Sequence, residues 1–285
     1  MKLYERIKMG GLSLLPVLAV ALGLVMAPQA LAGISGTKHN LSTTSGQTNH
    51  MTGATTASQA AEICVFCHTP HGAATAGAAR PPLWNKALPT IDGTYTTYSS
   101  ATSSTIDGTV DLSSSVSLAC LSCHDGSQAM DNMINAPGSG GYLAAGQRLA
   151  GGTWNVEVGA TGIMPAGIAK LGKDLSNDHP VAIQYCGGGL SGAAAVVSGT
   201  CGDTDFKNGT DGVETKDVGG TQVFWVETGT AGSRQKTDLP LYNNAGNTGP
   251  SVECATCHDP HTSAQTTFLR ISNAASAVCL TCHVK

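Results

Sequence analysis

The chain has 285 residues, 41% of them hydrophobic but only 12% charged, about half the usual charged fraction of roughly 25%. Its 15 basic and 19 acidic residues give a formal net charge of −4, which excludes a basic nucleic-acid binder, a charged coiled coil and a highly charged disordered tail. Thirty-six Gly, 12 Pro and few aromatics (4 Phe, 3 Trp, 6 Tyr) build a poor core, whereas 10 Cys and 9 His point to a chain organised around something other than side chains.

Residues 1–32 read as a secretory signal: Lys2, Arg6 and Lys8 open it, Gly11 to Ala27 is apolar, and Ala30-Leu31-Ala32 supplies the small residues a signal peptidase reads. Cleavage is expected after Ala32. The competing reading, an uncleaved anchor, is disfavoured because Pro16 and Gly23 interrupt a run that barely spans a bilayer. No Cys follows the triplet, so lipid attachment there is not supported, and no later run is apolar enough for a transmembrane helix. The expected location is extracellular or on the outer cell surface. Losing residues 1–32 removes three basic groups and one acidic group and leaves a charge of −6, which argues against nucleic-acid partners.

The string CxxCH occurs four times, at Cys64–His68, Cys120–His124, Cys254–His258 and Cys279–His283. This is the spacing of a c-type haem site: Cys64, Cys67, Cys120, Cys123, Cys254, Cys257, Cys279 and Cys282 would form thioethers, and His68, His124, His258 and His283 would lie beneath the irons. One such string arises by chance about once in a hundred chains of this composition. Zinc ribbons and redox CxxC pairs are the blander readings. A ribbon does not require His after every second Cys, and covalent haem assembly belongs outside the cytoplasm. The expected cofactor is therefore four covalently bound haem c, with iron.

The motifs come in the order CxxCHxPH then CLxCH, given twice. The economical domain reading is one tetrahaem domain over 33–285, made of dihaem modules at about 33–130 and 175–285 with a Gly-rich middle segment. Five further His remain, His39, His50, His71, His179 and His261, enough to give every iron a second imidazole. His71 lies too close to His68 to reach the far face of the same macrocycle, since three residues span at most about 10 Å; His261 stands in the same relation to His258. Each must reach a neighbouring haem. His179, in Asn177-Asp178-His179-Pro180, is a candidate distal ligand. His39 is preferred to His50 for the remaining iron because each module then has one upstream His. Met51, Met130, Met133 and Met164 are weaker alternatives while His are in excess. Cys186 and Cys201 enclose the 14 residues from Gly187 to Thr200 and are expected to pair as a disulfide around a surface loop.

The fold class expected is mostly irregular, a haem-organised core with short helices at 58–68, 116–124, 251–258 and 274–283. Residues 153–158 and 221–227 alternate as strands do and would form a minor hairpin; the Ser/Thr/Gly runs at 93–117 and 198–221 read as loops. Asn40-Leu41-Ser42 and Asn208-Gly209-Thr210 fit a glycan acceptor triplet.

Cys64-Val65-Phe66-Cys67-His68-Thr69-Pro70-His71-Gly72, Asp178-His179-Pro180 and Lys38-His39-Asn40 resemble the secreted multihaem c-type cytochromes of metal-respiring microbes, and more narrowly the tetrahaem cytochromes that polymerise into extracellular filaments, the cytochrome nanowires. Residues 90–117 and 186–250 carry no part of this resemblance. It implies a continuous haem stack in parallel and T-shaped pairs, a fold mostly of coil, and one distal His supplied by the adjacent subunit. The sequence adds one hint of its own. Only Val284 and Lys285 follow His283, so the fourth haem must be sheltered by the middle segment or by another subunit. If a subunit, head-to-tail contact propagates into a filament, with His71 or His39 as the ligand in trans; a monomer meeting redox partners is the alternative.

The expected function is extracellular electron transfer to redox partners or external acceptors. The rival class is a multihaem oxyanion reductase, which needs an open iron and charged groups to hold substrate. The His count closes every iron, and neither a Lys/Arg cluster nor a CxxCK string occurs.

Overall fold

A computed structural model describes residues 33–54, 60–74, 81–89, 94–99, 103–138, 140–191, 197–247 and 249–284. The expected signal, the first residues of the 58–68 helix and part of the Gly187–Thr200 loop lie outside the described residues.

Helical structure is short and gathers at the four CxxCH strings. Cys64–Phe66 forms one 3-10 turn, α1 (Ser117–His124) and α2 (Cys254–Cys257) carry the second and third strings, and α3 (Ala277–Cys282) follows the 3-10 turn Ala274–Ser276. The third string begins in a capping box, with Glu253 and Thr256 exchanging side-chain and backbone bonds. None of the described helices is long and apolar enough to cross a membrane.

Strands are more extensive than a minor hairpin. β1 (Met51–Gly53) pairs with β4 (Thr153–Trp154), and β2 (Asn132–Asn135) with β3 (Tyr142–Arg148). A third, antiparallel sheet has the order β5-β9-β8-β7-β6, comprising β5 (Ile183–Gln184), β6 (Val213–Val218), β7 (Thr221–Val226), β8 (Leu239–Asn243) and β9 (Pro250–Val252). Two sequence expectations are corrected here. The 153–158 and 221–227 segments do not pair: after Trp154 the chain turns on Asn155, whose carbonyl accepts from Gly159, and its two strand residues join β1 instead. The end of the 198–221 loop is β6, because Gly219 and Gly220, at φ 61° and 83°, make the two-residue turn that folds it back on β7 with Val218 opposite Thr221.

Buried apolar side chains form three clusters. One joins Leu41, Met51, Phe66, Met130, Met133 and Trp154 next to Cys67 and Cys123. A second, on the five-stranded sheet, joins Tyr185, Leu190, Phe224, Val226 and Leu239 next to Cys282. The third packs Leu118 and Leu121 of α1 on Leu112, Leu175 and Ala182. Each cluster thus backs at least one of the haem-type strings. Met51, Met130 and Met133 are core residues, buried at 0, 2 and 0% exposure.

The disulfide forms, Cys186 to Cys201 with Cα atoms 5.2 Å apart. It is not confined to the surface: Cys186 is buried and both cysteines pack in the second cluster. Asn40 is corrected as a glycan acceptor, since it is buried at 1% exposure and its amide donates to the Ser35 carbonyl at 2.8 Å.

Candidate haem-binding site

The backbone holds three of the four proximal histidines by the same antiparallel clamp. The Cys67 carbonyl accepts from Asn85 N–H, His68 bridges Trp84, and Thr69 N–H donates to Leu83. In the third string the Cys257 carbonyl accepts from Arg270, His258 bridges Leu269, and Asp259 N–H donates to Phe268. In the fourth, the Cys282 carbonyl accepts from Lys207, His283 bridges Phe206, and Val284 N–H donates to Asp205. The return segment follows the motif in the first two cases and precedes it in the last. The second string differs: α1 runs through His124, whose carbonyl accepts from Leu171 and Gly172.

The clamps set the imidazoles. His68 Nδ1–H donates to Pro82 O at 2.8 Å, His124 to Ala169 O at 2.7 Å and His258 to Thr267 O at 2.8 Å. A carbonyl can only accept, so each ring carries its proton on Nδ1 and presents Nε2 as a neutral donor, the orientation metal-ligating histidines use. His39 is anchored likewise on Pro260 O at 3.2 Å, His50 on Met51 O at 2.8 Å and His179 on Pro180 O at 2.9 Å. His261 Nδ1 meets Asp259 Oδ1 at 3.2 Å.

Two pairs of rings face each other. His68 and His261 have centroids 6.2 Å apart at 17°, and His39 and His124 have centroids 6.1 Å apart at 87°. His39 also stacks on Phe268 at 4.4 Å. Among the described residues His50, His71, His179 and His258 make no ring pair with another histidine, and the His283 ring tilts on Phe206 at 4.2 Å. His71 is exposed; its carbonyl accepts from Thr69 Oγ1 at 2.7 Å and Asn135 Nδ2 at 3.0 Å.

All eight CxxCH cysteines are free of disulfides. Burial pushes Cys67 and Cys282 up to about 12 and Cys257 to about 11, with Cys123, Cys257 and Cys254 respectively adding to the rise. The Cys120 thiol donates to Cys254, raising Cys120 and lowering Cys254. The second and third strings thus touch through Cys120 and Cys254. Burial, with His124 next, lowers His39 to about 4, keeping it neutral as a metal ligand must be.

These residues fit haem c: unpaired thiols, Nε2-presenting rings, and two ring pairs at the separation an iron needs. Among the described residues no three His, Cys, Asp or Glu side chains gather as a metal cage. The fourth string is covered on one side by Asp205–Phe206–Lys207, upstream in the same module, and Tyr185 donates to the Cys282 carbonyl at 3.4 Å. The return segments act mainly through backbone carbonyls and N–H groups, joined in the first and third strings by a side chain, Asn85 on the Val65 carbonyl and Arg270 on the Ala255 carbonyl.

The family model of the doubled CXXCH motif matches residues 249–285, the third and fourth strings. No curated protein matches the chain. A doubled CXXCH motif is the mark of multihaem c-type cytochromes, and it supports covalently bound haem c and electron transfer in this chain.

Proposed function

We propose that the chain is a secreted electron carrier with four c-type haems, each bound by one CxxCH string and two imidazoles. The observation that carries this reading is the pair of histidine couples. Iron–nitrogen bonds of about 2 Å on both sides put two coordinated ring centres about 6 Å apart, and His68/His261 and His124/His39 stand at 6.2 and 6.1 Å. On this reading His261 and His39 are the distal ligands of the first and second haems, and His71 and His179 serve the third and fourth.

Haem supplies the one-electron ferric/ferrous couple. The chain fixes the His68, His124 and His258 rings by their Nδ1 bonds, would supply a second imidazole to each iron, and packs apolar clusters behind the strings. The Cys120–Cys254 contact between the second and third strings supports close haem spacing there, which hopping requires. The basic, apolar and small-residue pattern of 1–32 supports export.

The finer proposal is a head-to-tail filament with His71 as the ligand in trans. Its support is the exposed His71 ring, which pairs with no other histidine of its own chain among the described residues. One observation favours the monomeric carrier instead: Asp205–Lys207 covers part of the fourth string from within the chain. Negative-stain microscopy of secreted material separates the two.

Electron paramagnetic resonance of the oxidised protein tests the ligation. All irons should be low-spin; a high-spin ferric signal in the intact assembly would favour the oxyanion reductase.

A further inference from the structure

Lys86 carries a charge that haem attachment and ligation leave unused. Its side chain is wholly buried, at 0% exposure, and Nζ donates to the carbonyls of Ala129, Met130 and Asn132 at 3.2, 3.0 and 2.7 Å. Three acceptors call for three N–H donors, which an ammonium has and a neutral amine lacks. A buried cation is costly unless a counter-charge meets it. The buried carboxylate of Asp131, at 0% exposure and flanked by the Met130 and Asn132 whose carbonyls Lys86 binds, is engaged by Arg148 Nε at 3.0 Å and the Trp154 indole at 3.3 Å. Among the described residues no carboxylate pairs with Lys86, and three backbone carbonyls hold its ammonium.

That charge sits against the first haem string. The preceding residue, Asn85, donates its N–H to the Cys67 carbonyl at 2.8 Å and its side-chain amide to the Val65 carbonyl at 2.8 Å. We infer that Lys86 is a fixed charge that raises the reduction potential of the haem held by Cys64, Cys67 and His68. The inference rests on the haem reading above. Reduction adds one electron, with no bond made or broken, and a neighbouring cation favours the less positive state.

Potentiometric titration of the purified exported protein, with an electrode as electron source, tests this on Lys86→Met and Lys86→Arg. The Met variant should keep four haems and shift one component about tenfold toward the ferric form, about 59 mV for a one-electron couple. The component that moves should be the one that His261→Ala perturbs. The Arg variant should stay at the wild-type value. If Lys86→Met does not assemble, Lys86→Gln, which keeps two of the three donors, is titrated in its place. Unchanged potentials in a folded, fully loaded neutral variant, or an equal shift in Lys86→Arg, would overturn the inference. Absence of haem from the wild-type protein would instead overturn the reading beneath it.

Discussion

The first and third strings carry the same backbone clamp on different chain. Trp84 opposes His68 and Leu269 opposes His258, and both segments turn through a left-handed residue, Leu83 at φ 58° and Phe268 at φ 62°. The clamps share a pattern rather than residue identities: two apolar residues, Leu83-Trp84 or Phe268-Leu269, precede a polar one, Asn85 or Arg270, whose side chain donates to the carbonyl after the first Cys, Val65 or Ala255. The repeat visible as CxxCHxPH thus extends, unseen in the sequence, into a return segment that fixes the proximal ring. The fourth string shows how far the device stretches, since its clamp comes from Asp205–Lys207, well upstream in the chain. Ring orientation depends on the bonds made to the motif and not on the order in which the chain makes them.

The largest break in this comparison comes from the distal rings. His261→Ala and His39→Ala should each leave haem content unchanged and convert one iron, the first and the second respectively, to high spin, read by paramagnetic resonance. His50→Ala should change neither, because His50 is anchored on its neighbour's carbonyl outside both ring pairs. His71→Ala should also keep four haems, disturb one iron and abolish filaments. Loss of a whole haem in that variant would contradict its assignment as a distal ligand.

Removing the disulfide separates the fourth clamp from the others. Cys186→Ser with Cys201→Ser should cost about 3 kcal/mol by loop closure, read by denaturant unfolding. It should loosen the second cluster, where Phe206 and Cys282 pack, while leaving the first clamp intact. A smaller effect is expected at Glu253. This carboxyl, 1% exposed, accepts from the Ser115 hydroxyl and from Ser117 Oγ at 2.5 Å, and Ser117 Oγ also accepts from Cys254 N–H at 3.0 Å. Glu253→Gln should destabilise by about 1–3 kcal/mol at low pH, where an unmatched acceptor–donor set remains.

The pH dependence at Glu253 follows from burial, which raises its carboxyl above the ordinary 4.5 despite the serine and Asn244 donors. The folded chain then binds the proton more tightly than the unfolded one. This contribution to stability is full below about 4.5 and falls as pH rises through the folded value. Melting temperatures of the wild type and Glu253→Gln across that range should converge as pH rises; parallel curves would show that Glu253 does not titrate differently on folding.

Much of the site was legible in the sequence because covalent chemistry demands fixed spacing. The four strings, their short helices and the Cys186–Cys201 link all stand where spacing puts them. One upstream His per module prefers His39 to His50, and the His39 ring lies edge-on 6.1 Å from that of His124. What spacing could not give was which distant ring meets which: His68 and His261 are brought together by the tertiary fold. The return segments were illegible because most of their bonds run through the backbone, and the one side chain that joins in, Asn85 or Arg270, differs between the strings. β6 was hidden by its polar residues, Glu214, Lys216 and Asp217, along a strand whose outer half is exposed. Lys86, one charge among Trp84, Ala87 and Leu88, left a trace in the sequence only as a lone cation in an apolar stretch.

Intact mass of the exported polypeptide bears most directly on the central claim. The account predicts the mass of the chain from Gly33 onward, with its disulfide, plus four covalently added haems. A mass equal to that of the bare mature chain would contradict it.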